Sequence, residues 1–284
     1  MATATQRINV SRAFKLEDIP YAKGTILLGV RGSLAHGVYV PSEDPDSIDD
    51  KDFMGIVVPE FDDYFRLSAN PDEGAMGVRG TRERMEGDID LVEYEIKKFF
   101  GLALKANPNV LSLLWMKPYE YYPVLTDDGA RILEIRDAFS SRRAIPAFTG
   151  YAHGQIDLLR RSTRHGFRGA KRRELIERHG YDTKNAAHAI RLLRMGMEFV
   201  GTGVLNVDRT GIDADELLMI KWGGLSLEEV EKLAADHLEK FKSISANTSL
   251  PELPNTEEAE RVLRDTVKAC WTWRDNEFGS WDVD

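Results

Sequence analysis

Two aspartates, Asp50 and Asp52, stand one residue apart at the head of the apolar run "DFMGIVV". On a β-strand, residues two apart project from the same face, so these carboxylates would lie side by side. Like charges that close repel unless a cation sits between them, and an all-oxygen donor set suits a hard divalent ion such as Mg2+. Asp90, which alternates with Asp88 in "DIDLVEY", supplies a third carboxylate if its strand pairs beside the strand of the other two. The competing reading of an Asp-x-Asp pair in an acidic chain is a solvated surface feature. Upstream, Gly32-Ser33 follows the strand pattern "TILLGV" and precedes a short helical signal, "SLAHG". A glycine there lets the backbone approach a phosphate, which unpaired N–H groups and the serine hydroxyl can hold. A plain tight turn is the alternative.

A third group sits in "GYDTKNAAHAIRLLRMG", residues 180–196. On a helix Lys184, His188 and Arg191 form one polar stripe, with Ala186, Ile190, Leu193 and Met197 roughly opposite, so the polar set need not face the core. Such a stripe can hold a triphosphate, since Arg binds phosphate bidentately and Lys acts as a point charge. It can equally be a solvated basic face. Residues 160–179 carry Arg160, Arg161, Arg164, Arg168, Lys171, Arg172, Arg173 and Arg178 against only Glu174 and Glu177. In a chain of net charge −9, that concentration fits either a bound polyanion or pairing with the acidic remainder. His36 lies near the Gly-Ser turn and has a structural or a phosphate-touching reading. Trp271, Trp273 and Trp281 read first as packing residues and second as base-stacking ones.

The elements that must position these residues are legible in outline. "TILLGV" and "DFMGIVV" read as neighbouring strands and "DIDLVEY" as a third, whereas residues 60–87 show no sustained periodicity. "EIKKFFGLALKANPNVLSLLW" reads as a helix broken at Asn107-Pro108 and followed by a second one. From about residue 145 onward the pattern is mostly helical, with glycine stops, a capping box formed by Ser226 and Glu229, and a last helix over about 256–273.

The chain of 284 residues, 42% of them hydrophobic, is long enough for a substantial core. Its acidity argues against nonspecific nucleic-acid binding over the whole surface. A single cysteine, Cys270, excludes an internal disulfide and any multi-cysteine zinc site, and fits a reducing compartment. No run approaches membrane-spanning length and the N-terminal "MATATQRINVSR" has no apolar signal core, so the expectation is a soluble cytoplasmic protein without a membrane partner. Phosphate loops of the Gly-x-x-x-x-Gly-Lys-Ser/Thr type, His-Glu-x-x-His pairs and Gly-x-Ser-x-Gly elbows are absent from the sequence.

Together, "GSLAHG", "DKDFMG", "DIDLVEYEIKKFFGLALKANPNVLSLLW" and "GYDTKNAAHAIRLLRMG" resemble the DNA polymerase β-like nucleotidyltransferase superfamily. More narrowly they resemble the predicted nucleotidyltransferases associated with RNA-repair operons. The matching blocks run in order from about residue 27 to 203, and the chain beyond about 205 matches nothing recognisable. The resemblance implies an α+β fold: a small mixed-sheet, palm-like nucleotidyltransferase domain over 1–142, a mostly helical nucleotide- and substrate-binding domain over 143–250, and a C-terminal helix and acidic tail over 251–284.

It also implies catalytic and metal-holding roles for Asp50, Asp52 and Asp90. Gly32 and Ser33 become the phosphate-holding turn, and Lys184, His188 and Arg191 become nucleotide ligands. Asp90 fits the third acidic position better than Asp88. The loop from Ser33 to Asp50 is longer and more acidic than usual, so Asp44, Asp46 and Asp49 compete with Asp50. Asp50 is preferred because only the Asp50/Asp52 pair runs directly into an apolar strand.

The implied activity is transfer of an NMP from an NTP to an acceptor hydroxyl with release of pyrophosphate, supported by two Mg2+ ions or by Mn2+. An RNA 3′ end is the first acceptor, reached through the basic segment 160–179. Transfer to a protein side chain or small molecule, or a catalytically silent nucleic-acid-binding scaffold, are the alternatives.

Overall fold

A computed structural model describes residues 14–40, 50–61, 80–117, 121–162 and 170–277, without the side chains of 160–162, 170–172 and 273–277. Strand β1 (Thr25–Val30) is buried along its whole length, as a central strand covered on both faces must be. It pairs antiparallel with β2 (Lys51–Val57), the neighbour expected from the sequence. Strand β4 (Ile89–Glu95) lies parallel to β2 and brings Asp52 and Asp90 into register. With β3 (Thr81–Glu86) and the short β5 (Val124–Leu125), the mixed sheet has the order β3-β4-β2-β1-β5.

Strand β3 was not expected, because "TRERME" at a sheet edge alternates nothing apolar. Its available signal was Gly87-Asp88, a two-residue hairpin turn with Gly87 at φ +61°. Arg82 ties this edge down: it pairs with Glu93, which is fully buried and also accepts hydrogen bonds from the Ala22 N–H and the Thr25 hydroxyl. The expected third strand begins at Ile89, so Asp88 belongs to the turn. Its carboxylate pairs with Lys51 at 2.9 Å.

After the one-turn helix α1 (Gly32–Ala35), helices α2 (Ile96–Ala103) and α3 (Pro108–Leu114) follow β4. The Asn107 side chain caps α3 by accepting from the Asn109 and Val110 N–H groups, which explains the break at Asn107-Pro108. Helix α4 (Asp127–Glu134) packs on β1. The helical part comprises α5 (Ala144–Ser162), α6 (Ala170–His179), α7 (Thr183–Thr202), α8 (Ala214–Lys221), α9 (Leu227–Ala246) and α10 (Thr256–Glu277).

Helix α7 runs through the middle of this part. At Gly196 a Cβ would lie 2.7 Å from both Phe148 on α5 and Phe241 on α9, so glycine lets three helices meet. The Ser226 to Glu229 capping box opens α9 as expected. Helix α10 returns to the sheet side, where the Trp271 indole N–H donates to the Pro59 carbonyl at 3.0 Å. Trp271 is therefore a packing residue; the Trp273 side chain and Trp281 lie outside the described residues. Cys270 is buried. One apolar core runs continuously from the sheet to α10, and no helix among the described residues is long and apolar enough to cross a membrane.

Candidate active site

Beyond Val30 the chain stays extended at Arg31, whose N–H donates to the Asp52 carbonyl at 2.8 Å. Gly32, at φ +61°, then turns it into α1. A Cβ at Gly32 would lie 2.0 Å from Asp52 Oδ2, so conformation and close approach both demand glycine there. The turn thus packs directly against the carboxylate that the sequence paired with it.

A cavity of about 340 Å³ opens at this point, between the sheet and α7. Asp50, Asp52 and Asp90 line it from the strands, Gly32 and Ser33 from the turn, and Lys184, His188 and Arg191 from α7. These eight residues border one space, although the turn and α7 are some 150 residues apart in the chain. Asp50 lies one residue before β2 and is exposed, rather than on the strand as expected. The competing Asp44, Asp46 and Asp49 lie outside the described residues.

The face of α7 carrying Lys184, His188 and Arg191 is not the solvated basic face of the alternative reading, because α7 is packed nearly all round and Arg191 itself is buried. The "GYD" that precedes it does structural work. Tyr181 donates its hydroxyl hydrogen to the Leu225 carbonyl, Asp182 caps α7 through the Asn185 N–H, and Thr183 bonds the Lys221 carbonyl at 2.6 Å. These contacts seat the N-terminus of α7 so that its cations face the sheet.

The far half of α7 is held by a charge network that sequence reading passed over. Arg209, 1% exposed, makes a two-pronged contact with Glu198 and a further one with Asp213 at 2.7 Å. Arg194 bonds Asp213, Glu216 and the His237 ring nitrogen Nε2. His36 is buried with Nδ1 2.9 Å from the Val207 carbonyl, and Lys221 donates to the Val38 carbonyl. Through these two contacts the α1 turn is stitched to the helical part. Burial, helped by the positive Arg191, holds the His36 imidazole well below its usual pKa despite the bond to Val207, so it is a neutral structural group.

The electrostatics of the cavity are unbalanced on both sides. Burial pushes the Asp52 carboxyl up to about 6; Arg31 and Lys184 oppose the shift, and Asp90 and Asp50 add to it. Opposite, burial pushes Arg191 down to about 9, with Arg209 adding to the shift and Asp213 opposing it. The one side-chain acceptor bonded to Arg191 among the described residues is the Met195 sulfur, 3.1 Å from Nη1. Ser33 Oγ is buried without a hydrogen-bond partner among the described residues. The sheet wall therefore carries three carboxylates with the Arg31 guanidinium paired to two of them, and Arg191 opposite has no carboxylate bonded to it among the described residues.

Among the described residues no three carboxylate, imidazole or thiol groups converge closely enough to cage a metal by themselves. That suits the donor chemistry present. Mg2+ keeps several waters and is commonly held by one or two carboxylates together with substrate phosphates, and Asp50, Asp52 and Asp90 offer oxygen donors only. The residues fit such an ion.

Sequence reading missed several lining residues: Arg31, Asn109, Ser112 and Lys221. Asn109 and Ser112 stand three apart within "NPNVLSLLW", a helical spacing that puts them on one face. Nothing in the sequence pointed to Lys221. Of the basic segment, Arg164 and Arg168 and the side chains of Arg160, Arg161, Lys171 and Arg172 lie outside the described residues. Arg173 and Arg178 are exposed, and Arg178 pairs with Glu174.

The model of the RNA repair pathway DNA polymerase beta family, RlaP, matches residues 7–265. The chain belongs to this family. The match reaches some sixty residues past the last block recognisable by eye and takes in α8, α9 and the first turns of α10. No curated protein matches the chain. As an RlaP member it is a polymerase β-like nucleotidyltransferase of RNA repair, and the cavity between sheet and α7 is its candidate active site.

Proposed function

We propose that the protein transfers a nucleoside monophosphate from an NTP to the hydroxyl at an RNA 3′ end and releases pyrophosphate. The observation that carries this reading is the charge mismatch across one cavity: Asp50, Asp52 and Asp90 line one wall with only the Arg31 guanidinium ion-paired to them among the described residues, and Arg191 opposite has no carboxylate bonded to it among those residues. A divalent cation complexed to a triphosphate satisfies both at once. The RNA-repair family supports RNA as the acceptor.

In this reading Asp50, Asp52 and Asp90 hold two Mg2+ ions, for which Mn2+ can substitute. When bound, these ions supply Lewis acidity that lowers the acceptor hydroxyl's pKa and offsets charge on the attacking and leaving oxygens. Lys184, His188 and Arg191 bind the β and γ phosphates and offset charge on departing pyrophosphate. Gly32 lets the backbone approach, and the Ser33 hydroxyl, without a partner among the described residues, donates to a phosphate oxygen. The acceptor oxygen bonds to the α-phosphorus as the bond from that phosphorus to pyrophosphate breaks, and the hydroxyl proton leaves to solvent. No protein nucleophile is needed. Residues 1–142 form the catalytic part in this scheme, residues 143–250 bring the cations, and 251–284 are the C-terminal helix and acidic tail.

The test incubates purified protein with Mg2+, each labelled NTP in turn, and RNA, DNA and protein acceptors, beside Asp52→Asn. Label on RNA is expected, with a loss of at least about a hundredfold in the variant, the scale of removing one electrostatic element of such a site. Its circular dichroism and melting curve should remain those of a folded protein. Label on protein or a small molecule would replace the acceptor, and full turnover by folded Asp52→Asn would remove the metal assignment.

A further inference from the structure

Arg31 occupies the position between the two strand carboxylates. Its Nη2 lies 3.2 Å from Asp90 Oδ2 and 3.6 Å from Asp52 Oδ1. The side chain is 27% exposed, and the carboxylates are 20% exposed for Asp52 and 29% for Asp90. The backbone holds this arrangement in place: the Arg31 N–H is bonded to the Asp52 carbonyl, and the Gly32 turn abuts the Asp52 carboxylate. In-register carboxylates on adjacent parallel strands repel when nothing positive lies between them. Among the described residues Arg31 alone makes ion pairs with both.

We propose that Arg31 is a resident counter-ion of the active site. In the metal-free protein its guanidinium bridges Asp52 and Asp90. An arriving divalent cation competes for those oxygens, and the released guanidinium turns to the polyphosphate in the same cavity. Only Nη2 of the guanidinium has a protein acceptor among the described residues, so Nε and Nη1 remain as donors for an anion. A planar five-donor group suits both tasks, since it pairs equally with carboxylate and phosphate. Arg31 is thus a positioning residue that couples metal entry to nucleotide entry. The proposal rests on the reading of Asp52 and Asp90 as metal-holding residues.

The coupling has a signature that a purely structural arginine lacks: removing it should move two affinities in opposite directions. A site whose competent form is only partly populated binds more weakly by that fraction. Freeing the carboxylates in Arg31→Met should therefore tighten Mn2+ binding without nucleotide, by about five- to tenfold if the bridge dominates the metal-free state. Mn2+ is titrated by electron paramagnetic resonance. Inorganic triphosphate, titrated calorimetrically at saturating Mg2+, should bind Arg31→Met about tenfold more weakly than wild type, the scale of one lost charge-assisted contact.

Arg31→Lys, which keeps the charge, should stay near wild type for Mn2+, and melting curves show that each variant is folded. Unchanged or weaker Mn2+ binding by folded Arg31→Met, with wild type binding normally, overturns the counter-ion role and leaves the proposed function standing. Unchanged triphosphate affinity overturns the hand-over to phosphate. Absence of Mn2+ binding by wild type, with and without triphosphate, overturns the metal reading itself.

Discussion

Gly32 shows how a single residue joins backbone geometry to chemistry. Its φ of +61° is left-handed, a region that costs an L-residue roughly 1–2 kcal/mol, and its missing Cβ leaves the space that the Asp52 carboxylate fills. Gly32→Ala must therefore strain the turn and push Asp52 away from its register with Asp90. The variant should melt lower, yet fold, and lose NMP transfer by about a hundredfold, since a displacement near 1 Å at a reacting group costs that much. Incorporation of labelled NMP beside a melting curve checks this, and full activity would show that Asp52 has no fixed place in the chemistry. Arg191 makes the complementary point. Spacing along a helix placed it with Lys184 and His188, but its burial, and that no carboxylate among the described residues is bonded to it, depend on the packing around α7.

At the scale of elements, α7 is the piece that turns a sheet with carboxylates into a site with two walls. Its direction depends on its N-terminus, where Asp182 is fully buried and accepts from the Asn185 N–H at 3.1 Å. Ser226 makes the equivalent cap on α9 and does not line the cavity. Replacing either cap by alanine should cost about 1 kcal/mol of stability, read as a shift in denaturant midpoint. Only Asp182→Ala should also weaken nucleotide binding, because Lys184 follows the cap by two residues. Equal nucleotide affinity in both variants would remove α7's start as a positioning element.

Legibility from sequence followed the same division. Strands β1, β2 and β4 and the helices of the second half announce themselves by apolar periodicity and caps. Strand β3 does not, because it pairs on one edge only, and its Arg82 is explained by Glu93 on the neighbouring strand. The network of Arg194, Arg209, Glu198 and Asp213 was equally silent, since charged residues spread over two segments look like ordinary surface until the chain folds.

For the whole molecule, net charge −9 means that an RNA acceptor of the proposed kind would have to be met by a local concentration of cations, and residues 160–179 hold the densest one in the sequence. Each phosphate neutralised there releases counterions, so the logarithm of RNA affinity should fall with the logarithm of salt by nearly one unit per contact. Replacing Arg173 and Arg178 by glutamine should lower that slope while leaving triphosphate binding unchanged. Filter binding over a salt series measures it, and a flat profile in wild type would turn attention to a protein or small-molecule acceptor.

By itself the sequence determined part of the cavity's lining. The Gly-Ser turn, the aspartates at alternate positions and the cations at helical spacing are local patterns, and local patterns follow from backbone periodicity of 2.0 and 3.6 residues. What only the tertiary structure decided was their relation: that β2 and β4 are parallel and in register, that α7 faces the sheet with its cations inward, and that Arg31 lies between two carboxylates. Those are pairings between distant segments, set by burial of a shared core and by charges that find partners only once that core has formed.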